Sequence, residues 1–106
     1  MKEALNLLGL ARRAGRLAAG RQAVRRNINR GKLLILAEDL SAREKERWHS
    51  EGKKYGFKVL EFSKKDELGR ALGMRPVGIL LLMDRGFARK MEVLLGEENL
   101  QKDSSR

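Results

Sequence analysis

Residues 17–37 read LAAGRQAVRRNINRGKLLILA, and three different patterns succeed one another within them. Leu17-Ala18-Ala19 is a short apolar bridge or edge strand. From Gly20 to Arg30 the spacing turns helical: Val24 and Ile28 form an apolar stripe with Ala23 alongside. Gln22, Arg25, Arg26 and Asn29 fall at i, i+3, i+4 and i+7 on the opposite face. Gly31 is the expected stop. Leu33 to Ala37 (LLILA) is then apolar at every position, the mark of a strand covered on both faces. A strand buried on both sides needs a layer above and a layer below it.

The flanking sequence supplies those layers. Residues 2–14 place Leu5, Leu8 and Ala11 at helical spacing, and Gly15 follows. After Glu38-Asp39, Ser41 with Glu44 three residues on predicts a capping box, opening a helix to about Tyr55 that ends near Gly56. Lys58 to Phe62 reads as a strand. Ser63 in SKKD predicts a second N-cap, leading a short helix with Leu68, Ala71 and Leu72 that ends at Gly73. Met74-Arg75-Pro76 is a loop, and Val77 to Met83 (VGILLLM) is the most apolar strand. Asp84 caps a last helix through about Leu95, leaving 96–106 as an expected flexible tail. Strands alternating with helices predict a single-domain α/β fold, a three-layer α-β-α sandwich around a small mixed sheet over residues 1–95.

Composition narrows the function. The 106 residues carry no Cys, one His and a net charge of +10. Disulfide scaffolds, thiolate zinc sites and Cys nucleophiles are excluded, and a lone His leaves metal sites and a Ser-His-Asp triad without support. No apolar run approaches the roughly 18 residues of a membrane span, and Met1 leads into a charged amphipathic helix rather than a secretory signal. The expectation is a cytoplasmic, polyanion-binding monomer with no membrane association.

The charge is unevenly placed. Residues 1–32 hold nine cations (Lys2, Arg12, Arg13, Arg16, Arg21, Arg25, Arg26, Arg30, Lys32) against Glu3 alone, which is +8 of the +10. Seven of the nine are Arg, whose planar fork suits phosphate and guanine edges. No aromatic residue lies among them, since Trp48, Tyr55, Phe57, Phe62 and Phe87 all come later. A single-strand stacking platform interleaves the two types, so a structured nucleic acid is the expected target. A helix opening at Gly20 would also turn backbone N–H groups toward a phosphate.

Catalytic patterns are missing. Gly31-Lys32 and Gly52-Lys53 lack the following Ser or Thr of a phosphate-binding loop, and no dinucleotide fingerprint follows a strand. His49 reads as an ordinary surface or half-buried residue. Glu38 and Asp39 are adjacent on an extended segment and point apart, which suits loop hydrogen bonding or capping better than paired acid-base work. A non-enzymatic domain with no cofactor and no metal is expected.

The order GRQAVRRNINRG, LLILAED, FSKKDELGRALGMRPVGILLL resembles the L-seven-Ae / L-thirty-e ribosomal protein superfamily of kink-turn RNA binders. The opening LNLLGLARRAGRLAAG looks most like its bacterial YlxQ-like branch. The resemblance spans residues 4–95 and rests on the spacing of Gly20, Arg26, Gly31, Ala37-Glu38-Asp39, Ser63-Lys64, Leu68-Gly69 and Gly73. It implies an α-β-α sandwich and a ribosomal or other bent RNA target. Gly20 matches the family's Gly at the start of the RNA-contacting helix, Arg26 its Lys, and Arg30-Gly31 its Arg-Gly. Gln22 stands where relatives carry Asn, and Ala23 where they carry a Glu that accepts from guanine. The loop before the last strand, here Met74, Arg75, Pro76 and Val77, is the family's second RNA-contacting element.

The resemblance therefore implies an interface of Gly20, Arg21, Gln22, Arg25, Arg26, Arg30, Met74, Arg75, Pro76 and Val77. Two alternatives remain open at this point. One is a sequence-tolerant binder of structured RNA, since Ala23 offers no acceptor. The other is a protein-interaction module of a ribonucleoprotein, with Trp48 on the third helix as anchor.

Overall fold

The computed structural model describes the backbone of residues 2–104 and the side chains of residues 2–96. The elements run α1 (Lys2–Arg13), β1 (Leu17–Ala19), α2 (Arg21–Arg26), a 3-10 turn (Ile28–Arg30), β2 (Leu33–Leu36), α3 (Ala42–Tyr55), β3 (Lys58–Glu61), α4 (Lys65–Leu72), β4 (Ile79–Leu82) and α5 (Arg85–Ser104). The sheet order is β1-β4-β2-β3, with β4 antiparallel to β1 and β2, and β3 parallel to β2. The sheet is therefore mixed.

Strand alternation sends consecutive side chains to opposite faces, and it explains why β2 and β4 are apolar throughout. Leu33, Ile35, Leu80 and Leu82 pack on one face with Ala4, Leu7, Leu8 and Ala11 of α1, Leu68 and Leu72 of α4, and Ala88, Met91 and Leu95 of α5. Leu34, Leu36, Ile79 and Leu81 pack on the other with Val24, Ile28 and Trp48. All four β2 side chains have no solvent exposure. At about 1.5–3 kcal/mol for each fully buried aliphatic side chain, these two strands make a large apolar contribution to stability. The three-layer α/β sandwich expected from the sequence is the fold found.

Three local expectations need correction. The second helix ends at Arg26 rather than Arg30: Asn27 folds its side-chain Nδ2 back onto the Ala23 carbonyl (2.8 Å), and the chain tightens into the 3-10 turn. An Asn side chain that competes for helix carbonyls favours such a break. Ser63 does not cap α4. It adopts a left-handed φ of 63°, and its Oγ donates to Glu67 Oε1 (2.7 Å), while Lys64 takes the cap position without a side-chain bond. The acceptor for the helix start comes from Asp39, whose Oδ1 takes the Lys65 amide at 3.0 Å. The last helix runs on to Ser104 instead of ending near Leu95, and the side chains of 97–106 lie outside the described residues.

Other caps are as expected. Ser41 Oγ accepts from the Glu44 amide (3.1 Å), and Asp84 Oδ2 from the Phe87 amide (3.0 Å). The Glu44 side chain does not complete the reciprocal half of the capping box, because it turns toward α2. Among the described residues, no helix is long and apolar enough to cross a membrane.

Candidate nucleic-acid interface

The directions of the strands decide which loops share an end of the sheet. Leu36 pairs with Ile79 and Glu61, and Ala19 pairs with Leu80. The end of β1, the end of β2, the end of β3 and the start of β4 therefore lie together. In an open α/β sheet such an end is where ligands bind. Here it carries Gly20 and the start of α2, the 37–40 loop, the 62–64 loop and the end of the 74–78 loop.

Gly20 is the hinge of this arrangement. Its amide donates to the Ile79 carbonyl (2.8 Å), and its φ of 93° turns the chain from β1 into α2. Only Gly enters that backbone region at little cost. The bond joins the first turn of α2 to the residue that opens β4, just past the 74–78 loop. The two expected binding elements are thus neighbours.

The 74–78 loop is laid along α4. The Met74 amide bonds the Gly69 carbonyl (2.8 Å), and the Val77 amide bonds the Lys65 carbonyl (3.1 Å). Gly69 admits this closeness: a Cβ there would lie 2.4 Å from the Arg75 carbonyl oxygen. Arg75 and Pro76 are exposed, and Met74 is half-buried against the core. Val77 is only 7% exposed and belongs to the core, so its side chain is not an apolar surface for a nucleotide. Gly78 lies against Leu40, which roofs the end of both apolar layers.

The arginines of α2 fall into two sets. Arg21 forms an ion pair with Glu44 of α3, and the guanidinium of Arg25 lies over the Trp48 ring, 4.9 Å from its centroid. Trp48 itself is fully buried, and its Nε1 donates to Glu44 Oε1 at 3.2 Å. Gln22 and Arg26 are exposed, and neither makes a side-chain hydrogen bond or ion pair among the described residues. Of the two roles open to Trp48, anchor for a protein partner or part of the core, its burial gives the second.

The rest of the basic third does not converge. Arg12 donates to the Leu72 carbonyl, tying α1 to α4. The Lys32 amide bonds Leu82 O and the Met83 amide bonds Arg16 O, both at the far end of the sheet. Arg30, two residues before Lys32, is carried away from Gly20 toward that far end. The +8 cluster of the sequence is therefore distributed over the molecule.

One contributor was passed over in the sequence. The parallel pairing of β3 with β2 brings the 62–64 loop to the same end, where Lys64 is exposed. Its signal was positional: it follows a parallel strand's carboxyl end. Further out, Glu61 is held below its ordinary carboxylate value, chiefly by the hydrogen bond with His49 (3.1 Å) and also by Lys45. Among the described residues, no group of three or more His, Cys, Asp or Glu is placed to hold a metal ion.

Residues 2–92 match the model of the ribosomal protein L7Ae/L30e/S12e/Gadd45 family. The chain belongs to this family. Within it, the chain is 32% identical over 91 residues to the RNA-binding protein YlxQ of Bacillus subtilis, covering 84% of this chain and 91% of that one. It is 29% identical over 96 residues to the YlxQ of Enterococcus faecium, covering 89% and 92% respectively. These matches place it in the YlxQ-like branch, whose matched members are named as RNA-binding proteins. A Bacillus halodurans protein of unknown function superposes with a TM-score of 0.82 at 30% identity, over 88% of this chain and 96% of that one. The Giardia lamblia 15.5kD RNA binding protein shares the fold, with a TM-score of 0.68 at 20% identity over 88% of this chain and 82% of its own.

Proposed function

We propose that this family member is a cytoplasmic, monomeric, non-enzymatic domain that binds a sharply bent, structured RNA of the kink-turn type, ribosomal or otherwise, and stabilises its bend. The observation that carries the reading is the Gly20–Ile79 hydrogen bond, which sets the start of α2 beside the 74–78 loop. The YlxQ relatives, named for RNA binding, support it. Gln22 and Arg26 are the α2 side chains free to meet base edges and phosphates. Arg75 and Lys64 supply further cations around the same end, and Pro76 an exposed apolar contact. Phosphate contacts set the register and base contacts supply discrimination.

The experiment is a titration of two RNAs at about 0.15 M salt, where loose electrostatic binding is screened. One RNA carries tandem G·A pairs at its bend; in the other these are Watson–Crick pairs. The expected result is a clear preference for the first. Equal binding to both favours the sequence-tolerant alternative, for which Ala23 speaks: its half-buried methyl packs against the sheet and offers a guanine no acceptor. Binding to neither overturns the reading.

A further inference from the structure

Glu44 links the two held arginines, touching Arg21 directly and Arg25 by way of Trp48. It lies on α3, with its side chain 18% exposed, and both carboxylate oxygens are in use. Oε1 accepts from the buried indole of Trp48, and Oε2 takes Arg21. Arg25 lies over the Trp48 ring. Arg21 and Arg25 are one helical turn apart and so share a face of α2, and that face is turned to α3. Gln22 and Arg26, the next i, i+4 pair, are left open.

A carboxylate has no evident role among the cations of an RNA-binding surface if affinity alone matters. It repels phosphate, and it neutralises the guanidinium nearest to Gly20. We propose that Glu44 is a specificity-determining residue of the interface: by holding Arg21 in an internal ion pair it withholds one cation from RNA phosphates, so that RNA is selected by its fit to Gln22 and Arg26 rather than by charge. This rests on the reading of α2 as an RNA-contacting element. The physics is that of a competition. The Arg21 side chain is 62% exposed and the pair is present in the free protein, so a phosphate that takes up Arg21 must first break it, and the cost of breaking it offsets the gain from one phosphate contact. A plain duplex meets one cation fewer, whereas a bent RNA that seats on Gln22 and Arg26 loses little.

The test is Glu44→Gln. Glutamine keeps an oxygen for the Trp48 indole and nearly the same shape, but it carries no charge for Arg21. The wild type, Glu44→Gln, and Glu44→Gln with Arg21→Gln are titrated with the bent RNA and with a plain duplex across a salt series. Unchanged thermal melting and the emission of Trp48, the only tryptophan, report that the fold is kept. Glu44→Gln is expected to bind the plain duplex several-fold more tightly. Its dependence of log affinity on log salt should steepen by roughly 0.7 to 0.9, the counterion release of one added phosphate contact. Its preference for the bent RNA should narrow. Adding Arg21→Gln should remove the gain. An unchanged slope and preference in Glu44→Gln overturns the proposal while leaving RNA binding standing, and so does a gain that survives Arg21→Gln. A wild type that binds neither RNA overturns the functional reading and this inference with it.

Discussion

Asp39 Oδ1 accepts a hydrogen bond from the backbone amide of Lys65, 26 positions later in the chain, at 3.0 Å. The loop after β2 thereby caps the helix that follows β3, and it ties together two of the four loops at the candidate RNA-binding end. Asp39→Ala is expected to cost about 0.5–2 kcal/mol, the range for losing a helix cap. Asp39→Asn, which keeps an acceptor, should lose less. Urea unfolding checks this: the midpoint should fall with an unchanged slope.

Gly69 sits inside α4, where an alanine would ordinarily add helix propensity worth about 1 kcal/mol. Here the sign should reverse. A Cβ would lie 2.4 Å from the Arg75 carbonyl oxygen and 2.9 Å from that of Met74, both backbone atoms. Gly69→Ala should destabilise by about 1–3 kcal/mol, as overpacking does, and displace the 74–76 loop. A stabilised variant would show that this approach is not tight in solution. RNA affinity measured on the folded variant should fall as well.

Arg26 and Arg25 are adjacent but differently placed. Arg26→Ala removes an open cation and should weaken RNA binding while leaving the melting temperature near that of the wild type. Arg25→Ala also strips a cation from the Trp48 face, a contact worth about 0.5–1 kcal/mol at an exposed site, so it should lower stability as well as binding. Parallel melts and titrations separate the two. Equal stability losses would contradict the division of the α2 arginines.

The depressed Glu61 carboxyl makes a pH prediction whose sign is fixed. Its folded value lies below the ordinary 4.5, so its contribution is present above that pH and is lost as pH falls through the lower folded value. The side chain is 37% exposed, so solvent screening holds the effect to the surface-pair scale of about 0–1 kcal/mol. Glu61→Gln should be slightly less stable than the wild type at pH 7, and the difference should be smaller at pH 3. Urea midpoints at the two pH values provide the comparison.

Much of the architecture was legible because it depends on local pattern. The continuous apolar run at 33–37 identified a strand buried on both faces and 77–83 the most apolar strand, and helical spacing at Leu5, Leu8 and Ala11 identified the first helix, whose buried stripe is Ala4, Leu7, Leu8 and Ala11. Ser41 and Asp84 were readable as caps because the group each satisfies is three residues away. Ser63 was misread by the same rule: the acceptor for α4 came from Asp39, which no local pattern ties to Lys65. The break at Asn27 turned on a side chain competing with the backbone, a contest the helical spacing of Val24 and Ile28 concealed.

For the candidate site the division is sharper. Sequence by itself determined the amino-acid resources: an arginine-rich segment opening at Gly20, a loop before the last apolar strand, and no cysteine. Tertiary structure decided which resources meet. Strand direction brought Gly20, Lys64 and the 74–78 loop to one end and carried Arg16, Arg30 and Lys32 toward the other. Packing of α3 on α2 then paired Arg21 with Glu44, laid Arg25 on Trp48, and left Gln22 and Arg26 open. Charge in a sequence is a sum over residues, whereas charge available to a ligand depends on which partners the fold has already placed beside each group.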